Sequence, residues 1–319
     1  MEQIQREDIQ IIGRYGNLTE RGVAKALKDN VYNDKEAWSK FLQLLLISLG
    51  VGFSVSGIIF FFAYNWADLH KFAKIGLAEG LVIAVTSLVL LPKINVNIRN
   101  IILTAASGLT GVLFAVFGQI YQTGANAYDF FLAWTIFITL WVIVSNFAPL
   151  WLIYIVLINT TFVLYSQQVA NNWSGVFIFT SLFIINTIIL IATIAIPNYK
   201  KTTIVIPNWF CNTLALACAC FATIGIIIGM FGDYQIAFPI LILMTATLSA
   251  LGIWHGLKTK SIFYLSLIPF SLIIILSALF IKISDGEMMF LLVSLLIIIA
   301  VTLTIKNLIH IQKKWKNEK

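Results

Sequence analysis

Ten long apolar runs alternate with short polar breaks behind a polar head of forty residues. They fall at about Phe41–Tyr64, Phe72–Leu91, Ile101–Ile120, Phe130–Val144 and Leu150–Gln167 in the first half. The second half holds Gly175–Ile196, Trp209–Met230, Ile236–Gly256, Ile262–Ile281 and Met288–Leu308. A helix crossing a hydrocarbon core of about 30 Å needs about 20 mostly apolar residues, so each run predicts one crossing. The runs are continuous, whereas strands of a membrane barrel would alternate apolar and polar positions. Only Ser145 to Pro149 separate the fourth and fifth runs, which predicts a tight helical hairpin. The first run is too long for the apolar part of a cleavable leader and reads as a retained span.

The head, residues 1–40, predicts two short helices, about Ile4–Tyr15 and about Glu20–Tyr32. Gly16-Asn17-Leu18-Thr19 makes the break, with Thr19 as N-cap. Ile4, Ile11, Ile12 and Tyr15 share one face, and Val23, Leu27 and Val31 share another. A helical hairpin on the cytoplasmic surface and a partner-docking module both fit. A DNA-binding helix-turn-helix fits poorly, because seven basic residues are balanced by seven acidic ones. The expected organisation is thus a hairpin (1–40), a transmembrane bundle (41–308) and a basic cytoplasmic tail (309–319).

Composition narrows the class. Of 319 residues, 60% are apolar and 11% charged, with a mean hydropathy of +0.92. An ordinary soluble domain has about 45–50% apolar and about 25% charged residues. The fold class is all-α, a polytopic membrane protein of about ten transmembrane helices. Lys and Arg collect on the cytoplasmic side of a membrane. With both termini inside, 18 of the 21 basic residues lie inside, and only Lys71, Lys74 and Lys282 lie outside. The net charge of +7 is therefore a topological signal, and no nucleic-acid partner is implied.

Polar groups in or beside spans carry more information, because burying them is costly. Glu79 is the one acidic residue well inside a span, in Gly76-Leu77-Ala78-Glu79-Gly80. It reads as a hydrogen-bonded group locking helices together, as a proton- or cation-handling carboxylate, or as an interfacial residue. Three outer span ends are rich in polar and aromatic residues. Asn65 and Trp66 follow the first span; Gln119, Tyr121, Gln122 and Asp129 surround the third exit; Asp233 and Tyr234 follow the seventh. These fit an interfacial belt, or a polar pocket under the outer interface. The phrases Phe117-Gly-Gln-Ile-Tyr-Gln and Phe231-Gly-Asp-Tyr-Gln hint at a parallel internal repeat. Gly76/Gly80, Gly225/Gly229 and Gly252/Gly256 are candidate helix-packing sites, and Pro239 and Pro269 candidate kinks. Cys218 and Cys220 point about 200° apart on a helix and cannot easily grip one metal ion. They read, with Cys211, as small apolar residues. No Walker loop, nucleophile elbow, zinc-protease motif or dinucleotide fingerprint occurs, so no metal, cofactor or catalytic residue is expected.

Phe60-Phe-Phe-Ala-Tyr-Asn-Trp-Ala-Asp-Leu69, then Lys71-Phe-Ala-Lys74, then Phe117 to Asp129, carry a resemblance. With the head and Trp38, residues 1–165 resemble the bacterial membrane family called domain of unknown function 2157. The resemblance implies a multi-pass protein of the bacterial cytoplasmic (inner) membrane, with no assigned activity. Three functions are expectations: a transporter or channel-like protein passing a small solute or cation through an outward-facing polar cavity; a scaffold binding another membrane protein; and an enzyme acting on a lipid-linked substrate. The last is weakest, for want of a nucleophile or paired carboxylates. The lipid bilayer is the one partner expected in every case.

Overall fold

The computed structural model describes residues 9, 12–13, 16, 19–30, 35–64, 69–92, 94–121, 124, 126–200, 206–283 and 288–317. Among these residues the chain is all-helical. The helices are α1 (Glu20–Asn30), α2 (Lys35–Tyr64), α3 (Lys71–Leu88), α4 (Val96–Tyr121), α5 (Ala127–Ser145), α6 (Ala148–Gln168), α7 (Gly175–Lys200), α8 (Asn208–Phe231), α9 (Ala237–Lys258), α10 (Ile262–Ile283) and α11 (Met288–Asn317). Helices α2 to α11 coincide with the ten apolar runs. Nine of the described helices are long and apolar enough to cross a membrane. The difference from ten is α3, whose 18 residues include Lys71, Lys74 and Glu79.

Two expected boundaries fall inside helices. α2 begins at Lys35 and runs unbroken past residue 40, and α11 continues past residue 308 to Asn317. Good helix formers such as Lys and Gln let both helices extend beyond the apolar stretch. Thr19 does cap α1: its hydroxyl oxygen accepts from the Gly22 N–H at 3.2 Å. Most of the other predicted head helix lies outside the described residues.

The chain forms two compact units, Met1–Gln122 and Thr123–Lys319. In the first, α4 packs against both α2 and α3. Ala78 and Val116 are its buried contact, with Ile58, Val112 and Ile120 around them. Thr104, Ser107 and Thr110 return their hydroxyls to carbonyls one turn back, at 2.9 Å each. Such bonds to their own helix give hydroxyls in an apolar surrounding an acceptor.

In the second unit α8 is central, packing against α7, α9 and α10, while α5 and α6 pair beside α7 and α11 covers α10. Phe183, Leu214, Cys218, Ala222 and Leu241 form its buried core. The α5–α6 hairpin is tighter than expected: only Asn146 and Phe147 join the helices, and Asn146 takes the left-handed conformation (φ 47°) that Asn tolerates better than most residues. Pro239 is the third residue of α9, where its missing N–H breaks no intrahelical bond, so it needs no kink. Pro269 lies inside α10 and does remove one.

Candidate functional site

Among the polar residues at the span ends, Asp129 acts within its own helix. Asp129 closes the first turn of α5, its carboxylate accepting from the Asn126 N–H at 3.0 Å in a capping-box arrangement. The neighbouring Tyr128 N–H donates to the Gln168 side chain at the end of α6, at 3.0 Å. Tyr128, Tyr165 and Trp173 then form a chain of ring contacts at 5.3 and 5.7 Å. This end of the unit has the make-up of an interfacial aromatic belt. Tyr121 lies against Phe117 within α4, and both it and Gln119 are exposed. Asp233 and Tyr234 are exposed in the α8–α9 connection. Asn65, Trp66 and Gln122 lie outside the described residues. The shared phrase takes two backbone forms, helical at 117–121 but extended from Gly232, so it does not recur as a structural repeat.

The small residues also divide. A Cβ added at Gly225 would stand 2.8 Å from Leu241 and 2.9 Å from Phe179; at Gly252, 2.8 Å from Ile268; at Gly256, 3.2 Å from Leu265. Gly229 is closed in by the Phe238 ring. These four permit close helix approach. At Gly76 and Gly80 an added Cβ would meet nothing within 4 Å among the described residues, and Glu79 between them is exposed on α3.

The polar groups that join helices inside the second unit carry no mark in the sequence. Asn159 of α6 and Asn186 of α7 exchange two side-chain hydrogen bonds, at 3.1 and 2.9 Å, and Asn186 is fully buried. Thr223 of α8 meets Ser271 of α10 at 2.5 Å, and the Thr187 hydroxyl donates to the Cys218 sulfur at 3.7 Å. Cys218 is buried and Cys220 exposed, so the thiols do face apart.

A cavity of about 390 Å³, equally unmarked in the sequence, lies among α7, α8, α9 and α10. That volume lies within the range of about 300–1,000 Å³ usual for small-molecule sites. Its shaft is mostly apolar, with Leu190, Ala219, Ala222, Leu248 and Ile268 in the wall and Ser249 among them. Thr245 and Ser271 stand at one end, and the Thr245 hydroxyl oxygen is buried with no hydrogen-bond partner among the described residues. Trp254, His255 and Tyr264 stand at the other, with His255 edge-on to Tyr264 at 5.3 Å. From His255 to Thr245 is ten residues of α9, or about 15 Å at the helical rise. That is half of a hydrocarbon core of about 30 Å, the depth of one leaflet. Chemically, the arrangement can hold an apolar chain. Its hydroxyls, on Thr245, Ser249, Tyr264 and Ser271, are few in an otherwise apolar wall, a poor replacement for the water of a hydrated cation.

The profile of a family described as "Predicted membrane protein (DUF2157)" matches residues 15–151 of the chain, and the motifs at 60–74 and 117–129 lie inside that match. The match takes in α1 to α5 and the first residues of α6; the cavity-lining helices lie beyond it. No curated protein and no solved structure matches the chain.

Proposed function

We propose that this membrane protein binds and carries an apolar or amphiphilic molecule that enters sideways from the bilayer into the α7–α10 cavity. The supporting observation is the cavity itself: one leaflet deep, mostly apolar in its shaft, and drawn from helices that are apolar enough to be embedded in lipid. A small hydrated solute or cation, the first expectation from the sequence, fits this wall less well, because the few hydroxyls there would compensate its dehydration only in part. The test is photolabelling of the protein in lipid nanodiscs with a phospholipid bearing a diazirine in its acyl chain. Labelled peptides are expected from α9 and α10. Ala219→Phe, which fills the shaft, and Ala195→Phe, at its mouth, are expected to lower that labelling at least tenfold with unfolding temperatures little changed. Equal labelling of both variants, or label confined to the lipid-facing sides of α2 and α11, would overturn the reading.

The orientation belongs to the same proposal. We place the protein in a bacterial inner membrane, with α3 as a tenth crossing and both termini in the cytoplasm. The charge distribution supports this. Lys258, at the end of α9, and Lys260, in the α9–α10 connection, lie at the mouth end of the cavity; the sequence adds Lys200 and Lys201 after the preceding apolar run, and cytoplasmic loops hold the excess of basic residues. The cavity then opens to the cytoplasmic leaflet. Reporter fusions at the two ends test the parity: one compartment for ten crossings, opposite compartments for nine.

A further inference from the structure

We propose that the occupant carries an anionic headgroup of the phosphate or carboxylate type, held at the cavity mouth by Lys258; this rests on the cavity reading above and names the chemistry of the occupant's polar end. Lys258 is the last residue of α9, one turn beyond the wall residues Trp254 and His255. Its ammonium stands 5.1 Å from the centroid of the Trp254 ring, so the cation sits against a side chain that is itself part of the cavity. Trp254 is 60% exposed. An indole that is half wall and half surface is the side chain that settles at headgroup depth in a bilayer. The mouth is therefore at the level where a lipid's polar end lies, and the shaft beneath it is as deep as one leaflet.

Charge gives the sign of the headgroup. The four helices that line the cavity contain no Asp or Glu at all. An anion reaching the mouth meets Lys258 with no carboxylate on those helices to oppose it. A zwitterionic headgroup brings its own cation to the same place and loses the advantage. A basic residue at this level favours an anionic lipid by about 1 kcal/mol, which is about fivefold.

The experiment uses the full chain in phosphatidylcholine nanodiscs with two photolabels of identical diazirine-bearing chains, one phosphatidylglycerol and one phosphatidylcholine. The expected result is about fivefold stronger labelling of α9 and α10 by the anionic lipid. Lys258→Gln is expected to reduce the ratio to about one while the phosphatidylcholine label is retained. Lys258→Arg should restore it, since the charge is what counts. A ratio unchanged in Lys258→Gln overturns the headgroup assignment and leaves the cavity reading standing. Labelling by both lipids that survives Ala219→Phe overturns the cavity reading instead. Inorganic phosphate at high millimolar concentration should leave the ratio unaltered at matched ionic strength. If it competes, Lys258 serves a soluble anion and the lipid assignment falls.

Discussion

Replacing Gly225 with alanine is expected to destabilise the second unit by about 1–3 kcal/mol, and leucine by more. The new Cβ would lie 2.9 Å from the Phe179 Cβ and 2.8 Å from Leu241 Cδ2. Leu241 can turn its methyl group away, but the Phe179 Cβ is fixed to the α7 backbone, so α7 and α8 must move apart. This is the most extensive helix contact in the unit, and Phe183, Leu214 and Cys218 are buried along it. In lipid no hydrophobic force draws the helices back together, because the tails are as apolar as the side chains. Gly80→Ala is the control: nothing among the described residues lies within 4 Å of its added Cβ, and a change within about 0.5 kcal/mol is expected. Thermal or denaturant unfolding of the purified protein measures both. Equal effects at the two positions would contradict the packing described for α7 and α8.

The second large effect is expected at the amide pair. Asn186→Leu leaves the Asn159 side chain inside the bundle with neither of its two bonds, and costs about 1–3 kcal/mol. Asn159→Leu should cost less, because Asn186 keeps its bond to the Leu182 carbonyl at 2.8 Å. The double replacement removes both polar groups and should recover part of the loss, giving a coupling of about 1 kcal/mol. Strict additivity of the two single changes would mean that the amides do not interact.

These two sites show why some features could be read from the sequence and others could not. The α5–α6 hairpin was legible because Ser145 to Pro149 interrupts two runs that are otherwise continuous. The crossing helices were legible for the same reason: the bilayer demands length and apolarity, and both are written along the chain. Asn159 and Asn186 were not legible as a pair. Each sits in a helix that is apolar all round, so no periodicity tells which side faces a neighbour and which faces lipid. The cavity was hidden likewise. Its wall is mostly Leu, Ile and Ala, with scattered Thr and Ser that the sequence does not mark off from those of a packed core, and it exists only through the spacing of four helices. The residues at the span ends were legible as polar but not in their contacts. Asp129 caps a helix and Tyr121 lies against Phe117, local geometry that composition does not reveal. Glu79 illustrates the converse. Its charge was conspicuous, yet its flanking glycines, which suggested a packed interface, meet nothing among the described residues of the first unit.

The measurement that bears most directly on the whole account is an electron cryo-microscopy map of the full chain in a lipid nanodisc. The account predicts chain-shaped density running from the level of Lys258 and Trp254, between α9 and α10, down to Thr245. A map in which Ile268 and Leu248 have closed the shaft, or in which it holds water from end to end, would contradict it.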